Sequence, residues 1–465
     1  MLFFKAFPVL KVVQFINRIP KKMNTIPVIE NRIWQPEFEC MERSQLEALQ
    51  VRRLKEAVAR CSTLPFYKQK FQETGITPDS INSLDDLRKL PFTLKSDLRD
   101  NYPLGFLAIP KSEVSRYQGT SGTTGKPTWT AYSKADVDRW ADLCARFLVS
   151  GGLTSEMTVQ ISFGFGLFTG GFGLHNGIQR VGAGIIPLSS GNSARQVMTM
   201  QDLQPEVLIC TPSYALKLMD DILKGDVDRS SIALQHAHFG GEPWTEEMRE
   251  RIESGLGIRC WNNYGMAECG GPGIAGECAY RNGMHIQEDQ YIFEVINPDT
   301  LEPVKPGEKG EIVVTPLCRE AFPILRYRTR DIGIIYDDGD CPCGRTTRRM
   351  SRILGRTDDM LIVRGVNVFP SQIETALMQV KDVSPHYMIE VTRPKALDEI
   401  TVFIEMLPEY FSDSMREMQE IKHRIDVEIF NTTGLHMKIE LVNPNTLERF
   451  EGKSRRVKDL RKLVD

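Results

Sequence analysis

The stretch TSGTTGKP, residues 120–127, decides how the rest of this 465-residue chain is interpreted. Its glycines allow backbone N–H groups to turn toward an anion, its hydroxyl groups add hydrogen-bond donors, and its lysine adds positive charge. A solvated surface loop has a similar composition, because Gly, Ser and Thr are common turn residues. The P-loop of nucleoside triphosphatases matches poorly, since Thr120 stands where its first glycine is needed and Pro127 replaces the Ser or Thr after the lysine.

The composition is that of an ordinary globular protein, with 41% hydrophobic and 26% charged residues. A net charge of −3 gives no argument for a nucleic-acid or membrane partner. The ten cysteines are scattered, which indicates the reduced thiols of a cytoplasmic protein rather than a disulfide scaffold. No stretch contains the roughly 18 consecutive apolar residues of a membrane-spanning helix. Residues 1–22 are apolar with interspersed lysines and lack a small-residue cleavage site, so we predict an N-terminal extension.

Short apolar runs alternate with helical patterns in the first part of the chain. The runs TVQIS (158–162) and EVLICT (206–211) predict buried strands. Residues 45–61 place apolar side chains along one stripe at helical spacing. This alternation predicts an α/β fold in which layers of helices cover a largely parallel sheet.

Two capping boxes predict where helices begin. Ser133 and Asp136 are spaced for a box that opens a helix soon after the quoted loop. Ser371 and Glu374 have the same spacing directly after Pro370, a residue that is favoured in the first turn. Both boxes predict helix starts at defined residues.

A second, smaller domain is predicted at the C-terminus. A strand (401–406), a charged helix (about 414–430) and a second strand (438–442) make a compact α+β unit. We therefore predict a large α/β domain over residues 23–356 and a small α+β domain over residues 357–465.

Residues 163–191 are rich in glycine, and phenylalanines alternate with the glycines at its start. Phe163, Phe165, Phe168 and Phe172 could form ordinary core contacts. Aromatic walls on a backbone that approaches a ligand closely would also form a pocket for a flat, apolar group. We predict the pocket rather than ordinary core contacts.

Seven stretches, taken together and in this order, resemble the phenylacetate–CoA ligase family of the adenylate-forming superfamily. They are TSGTTGKPT (120–128), FGFGLFTGGFGLH (163–175), HFGGEPW (238–244), NNYGMAE (262–268), YRTRD (327–331), GRTDDMLIVRGVNVFPSQIE (355–374) and EGKSRRV (451–457). The resemblance implies a large N-terminal domain of layered α/β subdomains and a small mobile C-terminal domain. It also identifies the opening stretch as a loop that binds the triphosphate of ATP.

The residue roles that the resemblance implies fit a reaction between two anions, a carboxylate and ATP, which needs positive charge and hydrogen-bond donors. The phosphates would contact Ser121, Gly122, Thr123, Thr124, Gly125 and Lys126. The rest of ATP or AMP would contact Gly240, Gly241, Glu242, Tyr264, Gly265, Asp331 and Arg356. The aryl group of the acid would contact Phe163, Phe168 and Gly240.

The resemblance assigns catalysis to Lys453 and to Glu268, which would help to hold Mg²⁺. Asp358 would be the hinge on which the small domain rotates between the two half-reactions, and Gly365 would line the channel for CoA. Alone, the basic run around Lys453 would be interpreted as a solvated helix face, and Glu268 as a surface acid.

Other positions leave alternatives open. Asp331 is suited to accept two hydrogen bonds from a ribose, or to form a salt bridge with Arg328 or Arg330. Phe163 replaces a tyrosine that is common in the family, which leaves the identity of the acid open. Arg364 stands where a lysine is frequent.

Cys278, His285, Cys341 and Cys343 are ligand types suited to tetrahedral zinc. The C-P-C spacing is tighter than the usual gap of two residues, so an unrelated turn with free thiols is the alternative. Some members of the family resemble this pattern and hold a structural zinc.

The resemblance implies an ATP-dependent ligase that joins an aryl or arylacetic acid to coenzyme A through an acyl adenylate. Its partners would be the acid, ATP, Mg²⁺ and CoA, and homodimers are common in the family. An adenylyltransferase of the same fold, with a deazaflavin or carrier-protein acceptor, is the closest alternative. A non-catalytic binding module that kept the fold is less consistent with Lys453, Glu268 and Asp331.

Overall fold

The computed structural model describes residues 29–120, 127–225, 227–336, 341–363, 366–393, 398–410, 414–450 and 456–461. These residues form a large and a small domain with separate hydrophobic cores. The predicted extension over residues 1–22 lies outside the described residues, and the boundaries 23–356 and 357–465 stay predictions. No helix in the described ranges combines the length and hydrophobicity needed to cross a membrane.

Nine α-helices lie in the described part of the large domain. They are α1 (Pro36–Glu39), α2 (Arg43–Cys61), α3 (Pro65–Thr74), α4 (Lys95–Asp100), α5 (Lys134–Ser150), α6 (Thr169–Val181), α7 (Ser193–Leu203), α8 (Pro212–Lys224) and α9 (Glu246–Leu256). The capping box predicted for α5 is confirmed, because Ser133 Oγ accepts from the Asp136 N–H at 3.0 Å and the Asp136 carboxylate accepts from the Ser133 N–H at 3.1 Å. The helix ends at Ser150, and Gly151 is its C-cap residue.

A two-stranded hairpin carries the quoted loop. It consists of β1 (Val114–Gly119) and β2 (Trp129–Ser133), which pair antiparallel. The loop therefore connects two strands that lie side by side.

A nine-stranded sheet forms the centre of the large domain. Its strands are β3 (Thr158–Ile161), β4 (Gly184–Ile186), β5 (Val207–Cys210), β6 (His236–Phe239), β7 (Arg259–Met266), β8 (Gly271–Glu277), β9 (Met284–Ile286), β13 (Ile335–Tyr336) and β14 (Arg349–Met350). Strands β3 to β7 are parallel and α6 to α9 connect them, whereas β8, β9, β14 and β13 extend the sheet antiparallel. The predicted parallel α/β layer is confirmed. In such sheets, ligands bind at the carboxyl ends of the strands.

A second sheet of the large domain is entirely antiparallel. It contains β10 (Tyr291–Ile296), β11 (Gly310–Pro316), β12 (Tyr327–Gly333) and β15 (Gly355–Arg356). The pairing of β12 with β15 sets Asp331 opposite Arg356.

The small domain has its own sheet. A hairpin of β16 (Leu361–Val363) and β17 (Val366–Val368) precedes α10 (Pro370–Met378). The sheet contains β18 (Val383–Thr392), β19 (Glu399–Met406), β20 (Lys438–Val442) and β21 (Val457–Asp459) in the order β20-β19-β18-β21. Helix α11 (Met415–Thr433) buries Ile421, Ile425 and Ile429, which share one face at a spacing of four residues.

The capping box predicted from Ser371 and Glu374 is wrong. Helix α10 begins at Pro370, and Phe369 precedes it as the N-cap residue, because proline is best accommodated in the first helical position. Gln372 accepts from the Phe369 N–H at 2.9 Å. Ser371 instead donates to the Leu354 carbonyl oxygen at 2.6 Å.

Candidate active site

A cavity of about 480 Å³ opens at the carboxyl ends of the parallel strands. Phe163 follows β3 and Glu242 follows β6, and both line the cavity together with Tyr264 of β7. Asp331 and Arg356, from the antiparallel sheet, line another part of the wall. These five residues come from five of the seven motifs.

Asp331 is the centre of a buried network in this wall. Its Oδ2 accepts from the Tyr264 hydroxyl at 2.7 Å, and its Oδ1 accepts from Arg356 Nη1 at 2.7 Å. Burial raises the pKa of Tyr264, and the nearby Asp331 charge adds to this effect, so the phenol stays protonated and donates. The network fixes the carboxylate orientation at the edge of the cavity.

The alternative ion pair of Asp331 with its neighbours along the strand is not formed. Arg328 binds Glu311 through two bonds, of 3.1 Å from Nε and 2.6 Å from Nη2. Arg330 Nη1 lies 3.7 Å from the same carboxylate. Because Glu311 takes both guanidinium groups, Asp331 remains directed at Arg356 and the cavity.

Arg356 connects this network to the predicted hinge. Its Nε and Nη2 donate to the two carboxylate oxygens of Asp358, at 2.9 and 3.0 Å. Burial opposes the charge on the guanidinium, but the attraction of Asp331 and Asp358 outweighs it, and the pKa of Arg356 lies above its ordinary value. One arginine therefore holds both the cavity carboxylate and the start of the connection to the small domain.

Glu268 lies beside a lysine that no motif indicated. Lys95, at the start of α4, places its Nζ 3.5 Å from Glu268 Oε1, and both residues line the cavity. Arg99 of the same helix and Arg352 also line it. They supply positive charge to the cavity wall, but their sequence surroundings contain no pattern that marks them.

The aromatic wall contains fewer phenylalanines than predicted. The rings of Phe163 and Phe168 lie with centroids 5.8 Å apart, and both line the cavity. Phe165 and Phe172 instead contact each other edge to face, at 5.2 Å. Alternation with glycine therefore identified the segment, whereas the family resemblance named the two rings that line the cavity, Phe163 and Phe168.

Three glycines allow the backbone to approach its neighbours closely. Gly241 has a φ of +83°, and a Cβ there would lie 3.4 Å from the Phe163 ring. At Gly265 a Cβ would lie 2.3 Å from the Gly271 carbonyl oxygen. Gly240 packs against Asn263 rather than lining the cavity, and a Cβ there would lie 2.8 Å from that side chain.

Glu242 links the cavity to the first turn of α8. Its Oε1 accepts from the Ser213 backbone N–H at 2.7 Å, one of the N–H groups that helix geometry leaves without a partner. The carboxylate is therefore held at the cavity wall from the side of α8.

Several predicted site residues lie outside the described residues. They are Ser121, Gly122, Thr123, Thr124, Gly125, Lys126, Gly365 and Lys453. The described flank of the loop reaches the cavity at Thr120, whose N–H donates to the Thr128 carbonyl oxygen at 3.0 Å.

Away from the cavity, the four predicted zinc ligands converge. The ligand atoms of Cys278, His285, Cys341 and Cys343 all lie within 4.8 Å of one another, and all four residues are buried. The sulfurs of Cys278 and Cys341 are 3.7 Å apart, and Cys343 Sγ lies 3.3 Å from His285 Nε2. Two sulfurs at 2.3 Å from a tetrahedral zinc would be separated by about 3.8 Å, close to the 3.7 Å between Cys278 and Cys341, whereas the widest spacing in the cluster reaches 4.8 Å.

The surroundings of this cluster also fit a metal. His285 Nδ1 lies 3.2 Å from the Thr347 carbonyl oxygen, which leaves Nε2 directed toward the thiols. The hydrogen bond between Cys278 and Cys343, with a further contribution from His285, lowers the pKa of the Cys343 thiol, and the same bond raises the pKa of the Cys278 thiol. A thiolate is the form of cysteine that binds zinc.

Comparison with protein families gives two matches. Residues 91–316 match the family described as AMP-binding enzyme, and residues 365–461 match the AMP-binding enzyme C-terminal domain. The fold, the cavity and these matches define an AMP-forming acid–thiol ligase of the adenylate-forming class.

Among curated proteins, the chain is 44% identical to the phenylacetate–coenzyme A ligase of Thermus thermophilus, over 92% of this chain and 100% of that protein. The chain belongs to the phenylacetate–CoA ligase family. This membership confirms the resemblance that the seven motifs indicated.

Two solved structures of a 2-hydroxyisobutyryl-CoA ligase show similar folds. One, in the postadenylation state with 2-HIB-AMP, is 29% identical and has a TM-score of 0.88, covering 95% of each chain. The other, in the thioesterification state with 2-HIB-AMP and CoA, is 30% identical and has a TM-score of 0.69 at the same coverage.

Proposed function

We propose that this protein ligates phenylacetate, or a close arylacetic relative, to coenzyme A with the conversion of ATP to AMP and pyrophosphate. The observation that carries the proposal is one cavity, in a chain of this family, that combines the Asp331–Arg356–Tyr264 network with the Phe163–Phe168 wall. A polar region suited to a nucleotide and an apolar region suited to an aryl group meet in the same space.

In the first half-reaction, a carboxylate oxygen of the acid attacks the α-phosphorus of ATP and the bond to pyrophosphate breaks. Charge increases on the phosphates, so the cations around the cavity stabilise the transition state. Lys95, Arg99 and Arg352 contribute to this field, and Lys453 and Lys126 are proposed to complete it.

In the second half-reaction, the CoA thiolate attacks the carbonyl carbon of the acyl adenylate. The bond between that carbon and the phosphate oxygen breaks, which gives the thioester and AMP. Asp331 would keep the ribose of the nucleotide in place through both steps, because its carboxylate is already oriented by Tyr264 and Arg356.

Two metal ions are part of the proposal. Glu268 would help to hold Mg²⁺, which supplies charge neutralisation to the phosphates when it is bound. Cys278, His285, Cys341 and Cys343 would hold a structural Zn²⁺, since four protein ligands leave no open position for chemistry.

Pyrophosphate release, measured with a panel of acids and with or without CoA, tests the function. We expect CoA-independent release of one equivalent with phenylacetate, and multiple turnover once CoA is present. Acetate should be a poor substrate, because it leaves the aromatic wall without contacts. Equal turnover of acetate and phenylacetate would contradict the assignment, and turnover that needs a different acceptor would favour the adenylyltransferase alternative.

A further inference from the structure

The small domain contacts the first half of α8 at an arginine that the proposed chemistry does not use. Arg456 precedes β21, and its Nη2 donates to Ser213 Oγ at 3.2 Å, although the two residues are 243 positions apart. Its side chain is only 11% exposed. Close by, His386 Nε2 of β18 lies 3.5 Å from the Asp220 carboxylate of α8.

Arg456 is held firmly on the small-domain side. Its Nη1 lies 3.1 Å from Glu374 Oε2 of α10, and its guanidinium carbon lies 4.6 Å from the centroid of the Tyr387 ring. The Tyr387 hydroxyl donates to the same Glu374 oxygen at 2.8 Å. A guanidinium that is fixed by an ion pair and a ring face can bind one position on α8 with little further loss of rotamer entropy.

Ser213, the residue of α8 that Arg456 contacts, is connected directly to the cavity. Ser213 accepts from Arg456 through its hydroxyl group and donates through its backbone N–H to Glu242, which lines the cavity. Burial opposes the Arg456 charge, but attraction by Glu374, Tyr387 and Glu242 raises the pKa of the guanidinium above its ordinary value. The small domain is thus linked through one serine to the cavity wall.

The contact belongs to one arrangement of the two domains. The two states of 2-hydroxyisobutyryl-CoA ligase are the same protein, so their TM-scores of 0.88 and 0.69 against this structure differ because their conformations differ. The present arrangement resembles the postadenylation state. A small domain that takes up the other arrangement would not retain all contacts of Arg456 with α8.

We infer that Arg456 is a positioning residue for adenylation, which docks the small domain on α8 through Ser213 and is released before the thioester is made. This inference rests on the proposed two-step reaction. Lys453 precedes Arg456 by three positions in the sequence, so anchoring Arg456 also limits the reach of the residue to which the family resemblance assigns adenylation.

Two conservative variants test the docking contact from its two sides. Arg456→Lys keeps a charge beside Glu374 but loses the planar fork that reaches both partners, and Ser213→Ala removes only the acceptor hydroxyl group. Arg461→Lys is the matched control, because Arg461 is also a half-buried arginine of the small domain, and its described partners Asp398 and Asp459 belong to that domain.

The two half-reactions are measured separately, as pyrophosphate release without CoA and as thioester formation from preformed phenylacetyl adenylate. Arg456→Lys and Ser213→Ala should each slow adenylation by about tenfold, the factor for one lost hydrogen bond to a charged group, and the double variant should be no worse. Thioester formation should stay within about twofold of wild type, and Arg461→Lys should leave both rates unchanged. Equal slowing of both half-reactions, or additive effects of the two substitutions, would overturn the inference.

Hydrogen exchange of the substrate-free protein gives a second measurement that does not depend on catalysis. Peptides covering the first turn of α8 and residues 456–461 should exchange faster in Arg456→Lys and Ser213→Ala than in wild type or Arg461→Lys. Unchanged exchange would overturn the docking contact. If the wild type adenylates none of the acids tested but the exchange pattern is as expected, the proposed function fails while the domain contact stands.

Discussion

The cavity and the cysteine cluster both bring together polar side chains from distant parts of the chain. They differ in that the polar side chains of the cavity border open space, whereas those of the cluster face one another. Asp331 and Arg356 bind each other at 2.7 Å and line a volume of about 480 Å³. The thiols of the cluster lie close to one another, with Cys278 and Cys341 only 3.7 Å apart at sulfur. The first arrangement suits a substrate, and the second suits one enclosed ion.

This difference shows that the convergence of reactive side chains does not by itself indicate a catalytic site. The cluster contains the more nucleophilic groups, but their ligand atoms converge on one another within 4.8 Å. The cavity contains groups of modest reactivity that are held in position by partners such as Tyr264. Substitutions in the cavity should therefore affect mainly catalysis, and substitutions in the cysteine cluster should affect mainly stability.

The largest effect on catalysis is expected from Lys453→Ala. An ammonium near the α-phosphate stabilises the transition state of adenylation more than the ground state, and its removal costs on the order of 3 kcal/mol, or roughly a hundredfold or more in rate. Lys458→Ala, at an exposed position, is the control and should leave the rate of pyrophosphate release unchanged. Pyrophosphate release measures the loss, and a normal rate in the Lys453 variant would show that the cavity does not depend on this cation.

Asp331→Asn should have the second largest effect. It removes the charge that accepts from Tyr264 and Arg356, and a lost hydrogen bond to a charged group costs about 1.5–3 kcal/mol. We expect KM for ATP to rise by about tenfold or more, with KM for phenylacetate changing little. Asp299→Asn, at an exposed position, is the control. An increase confined to KM for the acid would put the nucleotide at the other end of the cavity.

Cys341→Ser should change stability and leave chemistry nearly intact. The wild type should contain about one zinc per chain, and the variant should lose it together with about 2 kcal/mol of stability, a fall in Tm of several degrees. Buried Cys61→Ser, in α2, controls for the cost of placing a hydroxyl in a core and should keep the metal. The comparison between the two regions is contradicted if the Cys341 variant, assayed at low temperature, shows the rise in KM for ATP that is expected of Asp331→Asn.

The smallest effect on catalysis at neutral pH is expected from a histidine pair in β6. Burial lowers the pKa of His238 to about 3 and that of His236 to about 4, and none of the described residues hydrogen-bonds either ring nitrogen of His238. Because the folded pKa values lie below the unfolded value of about 6.5, their contribution is complete above that pH and is lost as pH falls toward 4.

Urea unfolding between pH 7 and pH 4.5 measures this contribution. Each histidine should add a slope of up to about 1.4 kcal/mol per pH unit, and His238→Gln should flatten the profile. Exposed His423→Gln is the matched control. An unchanged slope in the His238 variant would mean that the acid sensitivity originates elsewhere.

Features encoded within a short stretch of sequence were predictable. The capping box of Ser133 and Asp136, the parallel strands and the order of the seven motifs depend on local spacing, and the comparisons confirm the family that the motifs indicate. The box at Ser371 failed because a proline one residue earlier sets the start of the helix.

Features that depend on tertiary packing were not predictable. Lys95 meets Glu268 across 173 positions, and Arg456 meets Ser213 across 243, with no local pattern that pairs them. Alternation with glycine does not distinguish Phe163 and Phe168, which line the cavity, from Phe165 and Phe172, because this depends on how the loop after β3 packs. The choice of Arg356 as partner of Asp331 depends on a strand pairing, because the adjacent arginines are occupied by Glu311.

The fate of the carboxylate oxygens tests the central claim most directly. Phenylacetate labelled with ¹⁸O in both carboxylate oxygens is converted with ATP and CoA, and the products are analysed by mass spectrometry. If the carboxylate attacks the α-phosphorus and the thiolate then breaks the bond between carbon and oxygen, AMP carries one labelled oxygen and pyrophosphate carries none. Label in pyrophosphate or inorganic phosphate, or unlabelled AMP beside the thioester, would contradict the acyl adenylate and the function proposed from it.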